Sequence, residues 1–477
     1  MPNNKFSQIS IFDIYEDVNA SFTEKKSELV SLLENHIDFS SLISYEFSRA
    51  YYSSLGRKHK YHLVSFIKAL VIQKLFAFNL DSQLILVLKS SDALRDFCGF
   101  DKVPDGSYFT RFKQKYCNYL VNMFHKLVDI TEPICREIDA KKADYLIFDT
   151  TGIEPYVAEN NPKFLNSKLK EAKKLSKAYP EYNPYTGVYS MLPGTAKTNS
   201  SVKQQYINGH YCYAHKVGIM TNGNGIIRDI SFFDDDFKKT YPHIVTKKSN
   251  NPDADKEISD SHALKPVLSD FFAKHPTMLF STFLGDSAFD SYDNYNMLKN
   301  EFNFQRVCIP LNRRNSKNNS VDFDEYGTPL CPLDKTPFSF IGKCGGKNRS
   351  LRFKWVCHKS IPYGSKRICT CETPCTSSSY GKCTYTYPDK NFRMYPGIPR
   401  NTEHWNNLYK HRVYIERTIF LLKDCFGLNT LRTQNTLTIK ADVFLAAITQ
   451  LIGVILAKAI HEIKLFKSVR KLIKKAS

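Results

Sequence analysis

The spacing of apolar residues changes partway along the chain. Up to about residue 135 they recur at helical intervals. The stretch from Tyr61 to Leu80 is rich in apolar residues and poor in breakers, and Asp81 to Phe97 and Ser107 to Tyr116 read as shorter helices. Gly99 and Pro104-Asp105-Gly106 separate them. From Ala143 the texture shifts to short apolar runs. Tyr145-Leu146-Ile147-Phe148 ends at Asp149-Thr150-Thr151-Gly152, the pattern of a buried strand that delivers a carboxylate at its end. Residues 158–205 are polar and Lys-rich and read as a mobile or DNA-facing excursion. Tyr211 to Met220 and Ile226 to Phe233, split by Thr221-Asn222-Gly223-Asn224-Gly225, form a hairpin signal. His262 to Lys274 reads as a helix, Met278 to Leu284 as a strand running into Gly285-Asp286-Ser287, Ser291 to Asn300 as a helix and Phe304 to Leu311 as a strand.

The order strand, hairpin, helix, strand, helix, strand predicts an α/β fold built on a mixed sheet. Ligand sites in such sheets gather where strands end. Residues 313–395 break the pattern, being rich in Cys, Lys, Ser, Gly and Pro. The expected organisation is therefore a helical segment over 1–140, a first part of the α/β core over 141–312, an insertion over 313–395 and a second part of the core over 396–477.

That second part contains one informative helix, Tyr409 to Lys423. At about 100° per residue, Tyr409, Arg412, Glu416 and Lys423 fall within a wedge of roughly 60°. Ile415, Ile419, Leu422 and Phe426 form an apolar stripe beside it. One side can dock on a core while the other presents a carboxylate flanked by two cations and a phenol, groups suited to a divalent metal and phosphates.

Composition narrows the partner. The 477 residues hold 67 Lys plus Arg against 47 Asp plus Glu, a net charge of +20. Such an excess favours a polyanion, nucleic acid before membrane. Asp105 to Lys115 opens with cap-type residues and carries Arg111, Lys113 and Lys115. It reads either as a recognition helix contacting DNA or as a bundle helix with a solvated basic face. The tail, with Lys464, Lys467, Arg470, Lys471, Lys474 and Lys475, is a second cationic face with the same two readings. The start, Met1-Pro2-Asn3-Asn4-Lys5, lacks an apolar signal region, so the expected location is the cytoplasm, beside the nucleoid. The apolar run Val443 to Ile460 is interrupted by Thr449, Gln450 and Lys458 and reads as a buried core helix, with no membrane expected.

Phosphodiester chemistry is well served by two Mg²⁺ ions about 3.5–4 Å apart, one activating the attacking oxygen and one stabilising the departing one. Holding them takes about three acidic side chains gathered by the fold. Asp149, Asp286 and Glu416 are the candidates. Each has a plainer alternative: Asp149 capping a turn, Asp286 capping the following helix, Glu416 pairing with Arg412 or Lys423.

The ordered set resembles bacterial insertion-sequence transposases of the DDE class. Tyr409, Arg412, Glu416 and Lys423 reproduce the spacing of the Tyr-Arg-Glu-Lys signature of one branch. Phe148-Asp149-Thr150-Thr151 and Gly285-Asp286-Ser287-Ala288-Phe289-Asp290 match the surroundings of the family's first and second aspartates, and Tyr61 to Tyr116 is similar to its N-terminal helical region. The likeness weakens between about 155 and 205. It implies a ribonuclease H-like core in which Asp149, Asp286 and Glu416 hold two Mg²⁺, for which Mn²⁺ can substitute. Arg412 and Lys423 would grip phosphates, with Tyr409 beside them. The partners would be double-stranded DNA, as transposon ends and as target, and a second copy of the chain. The activity would be endonucleolytic cleavage and strand transfer in transposition. A nuclease without strand transfer and an inactive DNA-binding repressor are the alternatives. Trp355 or Trp405 could stack on an extruded base or pack in a core.

Related enzymes often carry an insertion between the second aspartate and the glutamate, commonly β-rich. Here it holds seven of the 13 cysteines: Cys331, Cys344, Cys357, Cys369, Cys371, Cys375 and Cys383. The three-residue gap from Cys371 to Cys375 falls within zinc-ligand spacing. Cys357, Cys369, Cys371, Cys375 and Cys383 are the expected pool of zinc ligands; free thiols in a loosely packed insert, or thiols left from a decayed site, are the alternatives.

Overall fold

A computed structural model describes residues 28–52, 58–246, 258–312, 322–346, 349–400, 402–468 and 471–472. Among the described residues eight helices come first: α1 (Glu28–His36), α2 (Phe39–Leu42), α3 (Tyr45–Tyr51), α4 (Leu63–Leu75), α5 (Asp81–Ser90), α6 (Asp92–Cys98), α7 (Gly106–Lys115) and α8 (Cys117–Ala143). The helix expected over 81–97 is two. Ser91 turns extended, and its hydroxyl accepts from Leu94 N at 3.3 Å, so it closes α5 and caps α6.

The sheet starts with β1 (Tyr145–Ile153). After α9 (Pro162–Ala178) and one-turn α10 (Pro184–Gly187) come β2 (Thr195–Ala196), β3 (Asn199–Ile207), β4 (His210–Asn222) and β5 (Ile227–Phe232). Next are α11 (Asp235–Thr240), α12 (Asp260–Lys274), β6 (Thr282–Leu284), α13 (Tyr292–Asn300) and β7 (Arg306–Cys308). β4 pairs antiparallel with β1, β3 and β5, whereas β6 pairs parallel with β1 and β7 parallel with β6. The central order β5-β4-β1-β6-β7, three antiparallel strands and then two parallel ones, is the ribonuclease H-like arrangement.

The hairpin expected around 221–225 is present. The polar excursion expected over 158–205 contains regular structure: α9, α10, β2 and most of β3. Asn161 caps α9 with Pro162 at the first turn, and the Lys, Leu, Ala and Glu after it favour helix. Asn208-Gly209, both at positive φ, then make the tight two-residue turn that joins β3 to β4.

In the insertion β8 (Ser339–Gly346), β9 (Arg349–Val356) and β12 (Cys383–Thr386) form a three-stranded sheet, and β10 (Ser360–Tyr363) and β11 (Lys366–Cys369) a hairpin. They have their own small core of Cys331, Phe338, Phe353, Trp355 and Cys357. The chain returns through α14 (Glu403–Tyr409), α15 (Val413–Phe420) and α16 (Thr436–Ala459).

α16 joins the helical region to the sheet. It packs on α4, α7, α8 and β5, and one apolar cluster runs from Leu29 to Leu472. The apolar segment that by length could cross a membrane lies in this helix, with 89% of its 18-residue window buried in the protein.

Candidate functional site

The helix bearing Glu416 is placed by the β4–β5 turn. Gly225, at φ +78°, turns its carbonyl toward α15 and α16. That oxygen accepts from Thr418 Oγ1 at 2.8 Å on α15 and from Gln450 Nε2 at 2.9 Å on α16. Ile415, Leu422 and Phe426 are buried and Ile419 packs beside them, so the apolar stripe docks as its periodicity predicts. α15 thereby lies against β1 and β4.

Helical backbone runs without a break from α14 through a 3-10 turn at Lys410–Arg412 into α15, then into a π turn at Leu421–Cys425. A π turn holds more residues than an α turn and rotates the residues beyond it about the helix axis. Lys423 is thereby separated from the wedge shared by Tyr409, Arg412 and Glu416. Its ammonium donates to Asn208 Oδ1 at 2.8 Å, at the tip of the β3–β4 hairpin. The pairing of Glu416 with Lys423 is thus not formed.

Glu416 pairs with Arg412, at 2.5 Å from Nη1. The other arm of the guanidinium, Nη2, donates to Asp149 Oδ2 at 2.9 Å. Arg412 Nε is buried without a hydrogen-bond partner among the described residues. Asp149 also accepts from Thr150 N at 2.8 Å. Asp286 lies just past the end of the neighbouring parallel strand β6. Ile147 aligns with Leu284, and both aspartates lie two residues further on; adjacent strands run about 4.8 Å apart. Asp286 Oδ1 accepts from Ala288 N at 2.8 Å, so it does cap the turn after β6. The plainer roles considered for Asp286 and Glu416 are therefore realised in part, whereas Asp149 lies inside β1 and caps no turn. The three acids nonetheless share one neighbourhood.

Their electrostatics record that sharing. The Asp149 carboxyl is pushed up to about 6, chiefly by burial. Arg412 and the Thr150 amide oppose the rise; Asp286 and Asp260 add to it. The Tyr409 phenol is raised by burial, against the pull of Arg412, and feels Asp286, Glu416 and Asp149 as well. Asp260 and Lys216 are not among the residues that the sequence singles out. Lys216 Nζ lies 2.6 Å from Asp260 Oδ1, which also accepts from Thr150 Oγ1 at 2.9 Å. Nothing in their local sequence marks them, because the two lie far apart along the chain.

The arrangement suits a divalent cation. A carboxyl whose proton is favoured by burial and by neighbouring acids gains from added positive charge, and Arg412 already stands as the cation between Asp149 and Glu416. With Arg412 in that place the three acids do not close to mutual ligand spacing: among the described residues the group whose ligand atoms all lie within 4.8 Å of one another is Glu154, His210 and Cys212.

Asn208 is the other residue that sequence reasoning missed. Its Oδ1 accepts from Thr151 Oγ1 at 3.1 Å and Gly152 N at 3.0 Å besides Lys423. Its Nδ2 donates to Gly152 O at 3.0 Å and Glu154 Oε1 at 2.9 Å. The Asn-Gly dipeptide was the signal that could have found it.

The remaining candidates divide. Arg111 is exposed, with its guanidinium 4.9 Å from the Tyr108 ring centre and bonded to Ser107. Beside it a cavity of about 230 Å³ is lined by Tyr51, Tyr61, Tyr108, Arg111 and Lys115. Lys113 must be corrected as a DNA contact. It is only 3% exposed and pairs with Asp81 at 2.8 Å and Asp442 at 3.1 Å, because it shares the inward face of α7 with Phe109 and Phe112. Trp355 and Trp405 are both buried, the first bonded to Thr386 and the second stacked on Tyr409 at 4.8 Å, so both pack in cores. In the tail, Lys467 lies over the Tyr414 ring at 4.2 Å. Arg470, Lys474 and Lys475 lie outside the described residues.

The zinc pool expected in the insertion is not assembled as a set. Burial, Cys331 and Cys375 raise the Cys357 thiol, and burial and Cys369 push Cys371 up to about 11, so these five sulfurs are neighbours. Cys383 departs from them. Its place on β12, opposite Val356, turns its sulfur toward Tyr385. None of the five expected ligands joins a three-donor group at metal spacing among the described residues.

Residues 18–115 match the family described as "Transposase domain (DUF772)". A cryo-EM structure of a piggyBac transposase synaptic complex with hairpin DNA is similar at 11% identity and a TM-score of 0.36, over 95% of this chain and 80% of that one. A likeness that remote assigns no residue a role. No curated protein matches the chain.

Proposed function

We propose that the chain is a DNA transposase of the DDE class. It would bind terminal inverted repeats, pair two ends as a homodimer, and cut and join DNA at the Asp149–Asp286–Glu416 cluster. Three things support the reading: the transposase-domain match over 18–115, the net charge of +20, and one acid on β1 with another just past the end of the adjoining β6 in a ribonuclease H-like sheet. The observation that carries it is Arg412 between Asp149 and Glu416.

Asp149, Asp286 and Glu416 would hold the Mg²⁺ pair. When bound, the metals supply an activated attacking oxygen and a stabilised leaving oxygen. The chain's own residues do the rest. Arg412, displaced from the carboxylates, turns its planar fork to a phosphate, the geometry for which guanidinium is suited. Lys423, anchored by Asn208, meets the backbone further along. Burial of Asp149 lowers the local dielectric and strengthens each of these contacts. Arg111 and the basic outer face of α7 would bind duplex away from the reacting phosphate. Zinc in the insertion, drawn from Cys357, Cys369, Cys371 and Cys375 with Cys331, would order a segment with a small core.

The test is incubation of the protein with transposon-end DNA, a target plasmid and Mg²⁺. Joined products are expected, and Glu416→Gln should abolish cleavage while end binding persists. Cleavage without joining would make the protein a nuclease. Binding without cleavage by the wild type would make it a repressor.

A further inference from the structure

Glu154, His210 and Cys212 bring three different donors to one point, at the end of β1 and near the tip of the β3–β4 hairpin. Their ligand atoms lie within 4.8 Å of one another, with His210 Nε2 3.2 Å from Glu154 Oε1. Zinc at about 2.0–2.3 Å from nitrogen, oxygen and sulfur spaces tetrahedral ligands roughly 3.3–3.8 Å apart. Small side-chain adjustments close the group to that size.

The contacts outside the three donors are those of a metal site. His210 Nδ1 lies 3.3 Å from the Asn208 carbonyl oxygen, which can hold the Nδ1 proton and leave Nε2 with its lone pair toward Glu154. Asn208 Nδ2 donates to Glu154 Oε1 at 2.9 Å, orienting the carboxylate. Metal-binding histidines and carboxylates are held in this way by carbonyls and amides behind them. Cys212 is buried and His210 exposed, so the group opens to solvent on one side. Lys423 donates to Asn208 Oδ1 at 2.8 Å and also feels the charge of Glu154 and Cys212, so it borders the group.

We propose that Glu154, His210 and Cys212 form a zinc site, separate from the Asp149 cluster, that ties the β3–β4 hairpin to the end of β1. Thiolate and imidazole together select zinc over magnesium. Three protein ligands leave a fourth position for water. Because Asn208 backs two of the ligands and also anchors Lys423, the ion fixes where that lysine stands. The site does not depend on the chain being a transposase.

The full-length protein, stripped with a chelator, is titrated with Co²⁺ as a visible probe and then with Zn²⁺, and bound metal is counted by mass spectrometry. Any metal held by the insertion cysteines is common to all variants, so the comparison is between variants. Wild type should bind one equivalent more than His210→Ala, and Cys212→Ser should also lose part of the thiolate-to-cobalt absorbance. Excess Mg²⁺ should not displace the ion. His210 is about half exposed, so its replacement leaves the fold intact and decides the matter even if Cys212→Ser misfolds. Equal stoichiometry and equal spectra for wild type and His210→Ala overturn the proposal.

Discussion

Arg412 Nη2 lies 2.9 Å from Asp149 Oδ2, although 263 positions separate them along the chain. The contact forms because the Gly225 carbonyl holds α15 against the strand that carries Asp149. It couples the charge state of the strand to the helix.

Removing Arg412 should therefore do two things. Arg412→Ala should slow DNA cleavage about 10²–10³-fold, the usual loss when a fixed positive donor is taken from a phosphoryl or acyl centre. It should also lift the Asp149 carboxyl further, since Arg412 is the main group holding it down. Single-turnover cleavage against pH reports both. Arg412→Lys should restore part of the rate and not the bidentate grip.

Asp149 also predicts a pH dependence of stability. Its folded carboxyl titrates near 6, above the ordinary value of 3.8. Between those values the folded state holds more of the proton than the unfolded state, so stability falls as pH rises from about 4 to about 6. Asp149→Asn should flatten that part of the curve, measured by thermal unfolding at a series of pH values. An unchanged slope would mean the carboxyl titrates normally.

Lys113 and Arg111, two residues apart on α7, should behave oppositely. Asp442→Ala or Lys113→Ala breaks the buried Lys74–Asp442–Lys113–Asp81 network. Either should cost about 3–5 kcal/mol in urea unfolding. Arg111→Ala should leave stability within about 0.5 kcal/mol and reduce the salt slope of DNA binding by about one.

Asn208→Ala should loosen the hairpin tip, leaving Gly152 N and Lys423 without their acceptor. A loss of about 1–3 kcal/mol is expected in thermal or urea unfolding. DNA affinity should fall too, with Lys423 no longer held. Wild-type affinity in this variant would show that Asn208 does not position Lys423.

Local pattern reaches a good part of this structure. The apolar run 145–148, the glycine-rich turn at 221–225 and the stripe Ile415–Ile419–Leu422–Phe426 each arise from neighbours in the chain. The α/β class, the strand order in outline and the three acids at strand and helix positions were legible for that reason. Lys113 was misjudged because charge says nothing of which way a helix faces once other helices cover it. The helix and strands of 158–205 were not legible because the polarity of the stretch outweighed a cap at Asn161 and a turn at Asn208-Gly209.

Short-range rules therefore settle periodicity, caps and turns, which depend on residues a few positions apart. Packing settled the rest. A π turn moved Lys423 from Glu416 to Asn208, the pairing of β1 with β6 brought Asp149 level with Asp286, and the pairing of β1 with β4 joined Glu154 to His210 and Cys212. Those partners lie tens to hundreds of positions apart, and their meeting depends on how helices and strands bury their apolar faces together, which no local stretch encodes.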